Sequence, residues 1–547
     1  MKNRSRLIKA VIILVVILAI GIGLYFILKP AKVGDYSTFV PSESYAAAAF
    51  DLKQIVKKAD MEAVNALPAV TSFKNELESV GGAAQLLLKK IIEKPDVSGV
   101  KFDKKLLFFL ANDSLSHYAG ASVALENKDA FEKMVHSFIP EESKKRKRKG
   151  FAKFLFDGWM IGWNENSALL IMDIDNEMSD EEIAGVFEYC LQIPSEKQLF
   201  ETNKEYTAFV AGSHDIALWL GSPKMIAERF TGNLFDDYSY SKPKGKGLLM
   251  AIDFYKGNVK VFSRLLVDEP LKKKIELITG KEINRELLSY HKGDKLLMAV
   301  AFTLNMKNYP GFLSLQDNDT NGLASLITDD TGVDAKVLSE VFNGDVVVTM
   351  NSDDPDMLDR FRDVSSGNMY NMLMNMRKTQ SLVIPDIRAT ATVSPVLFDQ
   401  LLIQLEESGQ MMKSGKNHMI KFNSIEMPFY IRRVEDVAIM MSIEQQLNRV
   451  VLNGIDEKYQ LSTSMEEMLT DNKFVLFIDL DIEKVPASWQ FLLHAGGQYE
   501  KVSDLLGKFD TITAVAGDME MHLRLDLAGK KNNSLQTLIT EFFTYFR

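Results

Sequence analysis

Apolar and polar positions along this chain follow a repeated order: a short apolar strand, a polar turn, then a helix with one apolar face. YAGASVAL at 118–125 reads as a small-residue strand. Asp129, with Glu132 three residues on, has the spacing of a capping box. Phe131, Met134, Val135 and Phe138 then fall on one helical face. IRATATV at 387–393 predicts a second strand, followed by Ser394-Pro395 as N-cap and first-turn proline, and by Phe398, Leu401, Leu402 and Leu405 at helical spacing. Near the C-terminus Met521, Leu523, Leu525 and Leu527 alternate with His522, Arg524 and Asp526, a period of two. Ser534 then opens a helix carrying Leu535, Leu538, Ile539, Phe542 and Phe546.

The first two copies continue alike. Residues 153–173 and 420–442 each predict three short strands at comparable offsets, which points to an internal duplication. A second recurring piece is an apolar strand ending in aspartate: AAAAFDL at 46–52, LLMAIDF at 248–254 and FVLFIDL at 474–480, ending in Asp51, Asp253 and Asp479. The expected fold class is α+β: an N-terminal transmembrane helix, then two related lobes of mostly antiparallel sheet with helices on one face. The expected divisions are 1–29 (cytoplasmic tail and anchor), 30–44 (a linker broken by Pro30, Gly34 and Pro41), 45–330 (first lobe) and 331–547 (second lobe).

The anchor rests on residues 8–28, from Ile8 to Leu28, where Lys9 is the only charge. At ~1.5 Å per residue this stretch is about 31 Å long, close to a hydrocarbon core of ~30 Å. Lys2, Arg4, Arg6 and Lys9 precede most of it without an acid, which orients the tail to the cytoplasm and the body to the periplasm. Cleavage at Gly21-Ile22-Gly23 is the competing reading, but it exposes LYFIL as a new N-terminus. The expected location is therefore the inner membrane, single-pass.

Charge and cysteine content narrow the function classes. The chain of 547 residues has a formal net charge of −10. Beyond residue 32 it carries 58 basic against 74 acidic groups, a net −16, which disfavours nucleic acid as a partner. Cys190 is the single cysteine, so no intrachain disulfide and no Cys-based metal site forms.

Signatures of chemistry are few. No G-x-S-x-G, H-E-x-x-H, phosphate-binding glycine loop or dinucleotide fingerprint occurs, so no catalytic residue and no cofactor is assigned. Asp317, Asp319 and Asn321, with Gly322, match the first positions of a calcium loop, but Thr328 stands where a bidentate Glu belongs. A polar surface loop accounts for that run as well. Asp51, Asp253 and Asp479 serve as helix caps or, alternatively, as carboxylates of a cleft. Ser213-His214-Asp215 reads as a coincidence of neighbours on a strand, whose side chains point to opposite faces. KKRKRK at 144–149 reads as a solvated loop or a contact for anionic headgroups. The methionine-rich stretch 368–380 reads as core filling or a mobile flap.

The stretches VPSESYAAAAFDLKQIVKKADM (40–61), FVLFIDLDIEKV (474–485) and MHLRLDLAGKKNNSLQTLITEFF (521–543) resemble a family of uncharacterised envelope-anchored proteins from Bacteroides-group Gram-negative bacteria, a domain of unknown function. The resemblance covers the body from about Val40 onward and implies no functional residues. The resulting expectation is a membrane-anchored periplasmic binding or scaffolding protein, with an envelope protein, lipid or glycan as ligand. The alternatives are a lipid or small-molecule carrier and a carboxylate-based enzyme, each with a cleft between the two lobes.

Overall fold

The computed structural model describes residues 35–60, 98–112, 117–137, 146–148, 151–156, 158–174, 178–221, 247–267, 269–308, 335–352, 385–421, 428–481, 484–485, 503–504 and 506–545. The strands are recorded as one hydrogen-bonded sheet of 20. Chain packing divides into two compact units, Met1–Leu266 with Lys530–Arg547, and Val267–Gly529.

The first unit holds β1 (Ala46–Phe50), β2 (Leu106–Asn112), β3 (His117–Ala124), β4 (Arg146–Arg148), β5 (Phe151–Phe156), β6 (Trp159–Trp163), β7 (Ser167–Asp173), β8 (Ile216–Leu220), β9 (Gly247–Tyr255) and β10 (Asn258–Leu266). They pair antiparallel in the order β10-β9-β8-β1-β2-β3-β7-β6-β5-β4. The second unit holds β11 (Leu296–Thr303), β12 (Phe342–Asn351), β13 (Asp386–Val393), β14 (Met411–Ser414), β15 (Asn417–Lys421), β16 (Pro428–Val434), β17 (Val437–Met441), β18 (Phe474–Asp479), β19 (Phe509–Ala516) and β20 (Glu520–Leu527). Their order, β20-β19-β18-β11-β12-β13-β17-β16-β15-β14, is the first scheme with every number raised by ten.

The register repeats as well. Ala47 faces Trp219 and Phe109, Phe109 faces Gly120, and Gly120 faces Ile171. In the second unit Ala299 faces Phe477 and Thr349, Thr349 faces Arg388, and Arg388 faces Met441.

Helices cover both faces in each unit. In the first, helix Asp180–Leu191 buries Ile183, Val186, Phe187 and Cys190 in one core with Leu169 and Ile171 of β7. Helix Lys128–His136 lies over Trp163, with the Phe131 ring 5.7 Å from it. Met160 of β6 joins the first core while Trp163 serves the second helix, as alternation along a strand requires. In the second unit Val437, Ile439 and Met441 of β17 join a core with Leu447 and Val450 of helix Glu444–Asn453. Ala438 and Met440 face Phe398, Leu401, Leu402 and Leu405 of helix Pro395–Glu407.

Several expectations are corrected by this architecture. The strands form a single sheet, not two separately sheeted lobes. Helices lie on both faces, because strands such as β17 are apolar at every position and need cover on each side. No helix among the described residues is long and apolar enough to cross a membrane, so the expected single-pass, inner-membrane placement finds no support in the structure. The segment from Ile8 to Leu28, on which that placement rested, lies outside the described residues. Arg146–Arg148 of the basic run form β4, paired with β5, and not a loop.

Local signals fared better where they concern single elements. Ser394 is the N-cap of its helix with Pro395 at the first turn, although the serine side chain makes no capping bond. In helix Lys128–His136 the cap is Asn127, which accepts from the Ala130 N–H at 2.9 Å, and Asp129 lies in the first turn.

Candidate functional site

Two clusters of buried polar side chains stand out, one in each unit. The first gathers where β1, β8 and β9 meet helix Leu52–Ala59. Asp51 follows β1 and caps that helix, its Oδ1 accepting from the Gln54 N–H at 3.0 Å. The helix carries Lys58, whose Nζ donates to Asp215 Oδ1 at 2.8 Å and Oδ2 at 2.6 Å. Asp215 immediately precedes β8 and is fully buried. Its Oδ2 also accepts from the Phe254 N–H at 2.7 Å, and its backbone oxygen accepts from the Asp51 N–H at 2.8 Å.

Asp253 lies beside it within β9. Its Oδ1 accepts from the Asp215 N–H at 3.0 Å, and its Oδ2 meets His214 Nδ1 at 2.9 Å. The His214 side chain keeps 29% of its surface exposed and packs near Phe209, with ring centres 5.0 Å apart. Lys105, at 1% exposure, donates to the carbonyls of Val210 and Gly212 at 2.6 and 2.7 Å, closing the C-terminal end of helix Lys204–Val210.

These contacts set the proton affinities. Burial pushes Asp215 above the ordinary carboxylate range, outweighing the opposing pull of Lys58. Burial also raises Asp253, but His214 and the Asp215 N–H together bring it below that range. Burial lowers Lys105, opposed by Asp51, Asp253 and Asp215.

The second cluster is more enclosed. Arg388, with no exposed surface, forms a fork with Asp386: Nε donates to Oδ1 at 3.0 Å and Nη2 to Oδ2 at 2.8 Å. Its Nη1 donates to the Tyr290 carbonyl at 3.1 Å, and Nη2 also donates to Gln446. His291 sits between two threonines, Nδ1 to Thr349 Oγ1 at 2.7 Å and Nε2 to Thr390 Oγ1 at 2.8 Å. Burial, with the Arg388 charge adding to it, lowers the His291 pKa to about 3, so the ring is neutral.

The candidates read from the sequence divide clearly. Asp51 and Asp253 belong to the first cluster, with Asp51 acting as a cap and Asp253 lying within its strand. Asp479, in the other unit, accepts from the Asp481 N–H at 3.0 Å and from Lys484 Nζ at 2.6 Å. The calcium-loop residues Asp317, Asp319, Asn321 and Thr328 lie outside the described residues, as does the methionine-rich stretch 368–380. Among the described residues no group of three or more His, Cys, Asp or Glu side chains is placed to hold a metal ion.

Sequence reasoning missed His214, Asp215, Lys58 and Lys105. It set aside His214 and Asp215 because neighbours on a strand diverge, yet both precede β8, where alternation does not apply. The adjacent His-Asp pair was the available signal. Nothing in LKQIVKKA or KKLLFFLAN marks which lysine turns inward.

A family profile described as a domain of unknown function, DUF4836, matches residues 36–535. The chain belongs to this family. No curated protein matches the DUF4836 chain. Among solved structures, crystal form III of TP0453 is similar at 12% identity, covering 47% of this chain and 90% of that one, with a TM-score of 0.25. Crystal form I of TP0453 is similar at 11% identity over 44% and 84%, with the same TM-score. Likeness at that level settles neither fold nor function for the family member described here.

Proposed function

We propose that this chain is a binding or scaffolding protein and that its carboxylates are joints of the fold. The observation that carries this reading is the commitment of both oxygens of Asp215 and both of Asp253 to internal donors: Lys58, the Phe254 N–H, the Asp215 N–H and His214. A carboxylate working as a base or nucleophile needs an oxygen directed at substrate. Here the oxygens tie β8 to β9 and to the helix after β1. Charged hydrogen bonds of this kind contribute ~1.5–3 kcal/mol each to stability. The stretches 40–61, 474–485 and 521–543 also support a Bacteroides-group source.

The test is crosslinking in whole cells, followed by mass spectrometry, with the wild-type, Asp253→Asn and Asp51→Asn chains. Recovery of the same protein partners by all three supports the reading. A turnover carried out by the wild type and lost in a folded Asp253→Asn chain overturns it. A bound small molecule with no protein partner also overturns it, in favour of a carrier.

A further inference from the structure

The hairpin β9–β10 presents a face on which cationic and aromatic side chains alternate. The strands are joined by the two residues Lys256 and Gly257, and Tyr255 pairs with Asn258. Gly257 takes a φ of +73°, a left-handed conformation that glycine reaches without a Cβ penalty. The register places Lys260 opposite Asp253, Phe262 opposite Ala251 and Arg264 opposite Leu249. Residues two apart on a strand, and residues paired across strands, share a face. Tyr255, Lys260, Phe262 and Arg264 therefore lie together.

The cations are ordered against the rings. Lys260 Nζ is 5.1 Å from the centre of the Tyr255 ring, and the Arg264 guanidinium is 5.5 Å from that of Phe262. Tyr255 is 44% exposed, and Lys260 and Arg264 are exposed. The acid on this face, Asp253, is held by His214 and the Asp215 N–H. Lys58, 5.3 Å from Tyr255, is held by Asp215.

We propose that the face of hairpin β9–β10 carrying Tyr255, Lys260, Phe262 and Arg264 binds an extended acidic peptide segment of a protein partner. The inference rests on the binding reading above and names the class of partner. Lys260 and Arg264 are four residues apart on one strand, about 13–14 Å. An extended peptide with acids four residues apart repeats its carboxylates at that spacing on one face, so two of them reach both cations while the apolar side chain midway between them lies at Phe262. Cations already ordered against rings lose little freedom on binding. The chain's net charge of −10 repels a long polyanion, whereas a short segment meets the local positive face.

The probe is a fluorescein-labelled peptide of three Glu-Thr-Leu-Thr repeats, titrated with the full chain at low ionic strength and followed by anisotropy. The expected result is saturable binding that weakens with salt, falls about tenfold or more with Lys260→Glu, and stays within about threefold with Lys260→Arg. Urea midpoints of both variants report that they fold. No binding by the wild type, or equal binding by a folded Lys260→Glu chain, overturns the proposal. Tighter binding to phosphatidylglycerol vesicles or to single-stranded DNA than to the peptide also overturns it. If crosslinking recovers partners while the peptide does not bind, this face alone loses its assignment; if neither occurs, the binding reading falls too.

Discussion

The two units use one strand-pairing scheme and fill the same lattice row with opposite chemistry. In the first unit the row runs Trp219, Ala47, Phe109, Gly120, Ile171. Phe109 lies so close over Gly120 that a Cβ there would come within 2.0 Å of the ring. In the second unit the row runs Phe477, Ala299, Thr349, Arg388, Met441. There the volume belongs to the Arg388–Asp386 fork and to His291 held between Thr349 and Thr390. One arrangement is a dry aromatic wedge and the other a satisfied polar network. Pairing order constrains where a residue sits, and leaves open whether it is held by packing or by hydrogen bonds.

The comparison breaks most sharply at Arg388. Arg388→Met should cost ~3–5 kcal/mol, because Asp386 stays buried with only Lys292, 3.6 Å away, in place of the guanidinium fork. An unfolding free energy from urea titration lowered by less than a third of that range would show that Lys292 or water takes over at Asp386. His291 supplies the next effect. Its folded pKa of about 3 lies below the ordinary 6.5, so below 6.5 the unfolded chain takes up a proton that the folded chain refuses. Stability should therefore fall by about 1.4 kcal/mol for each pH unit from 6.5 downward. His291→Gln should flatten that slope between pH 7 and pH 5. In the first cluster the two aspartates should act in opposite directions under acid, Asp215 above the ordinary carboxylate range and Asp253 below it. Asp253, held below its usual range, gives up stability as pH falls through its folded pKa, whereas Asp215, held above it, gains.

Gly120→Ala tests the aromatic side of the row. A methyl group there meets three atoms of the Phe109 ring within 2.6 Å, so about 1–3 kcal/mol should be lost. Phe109→Leu in the same chain should recover part of it. If Gly120→Ala alone leaves the urea midpoint unchanged, the wedge is looser than its geometry. The smallest effect separates two caps. Asp51→Ala should cost ~1 kcal/mol, since its side chain bonds the Gln54 N–H. Ser394→Ala should cost less than about half of that, because Ser394 makes no such bond and Pro395 presets the first turn.

Much of the local structure was legible from residue order. Phe398, Leu401, Leu402 and Leu405 share a helix face, and all four are buried. The segments after 150 and after 415 each form three strands. AAAAF forms a strand with Asp51 capping the next helix, as the free N–H groups of a first turn demand. The candidate site was legible only in fragments. Asp51 and Asp253 were singled out, but their joining through Asp215, Lys58 and His214 depends on β8 lying between β1 and β9. That neighbourhood joins residues more than 150 positions apart.

Periodicity is local, and so the alternation of Val437, Ile439 and Met441 with Ala438 and Met440 was readable as a strand. That both rows of β17 would be buried depended on which helices arrive from elsewhere. Residue order alone determined element type, net charge, the want of any disulfide and the apolar stretch before residue 30. Tertiary structure decided the single sheet, the repeated register and the choice between Phe109 over Gly120 and Thr349 beside Arg388. Those outcomes turn on volumes and hydrogen bonds shared between distant strands, which no window along the chain contains.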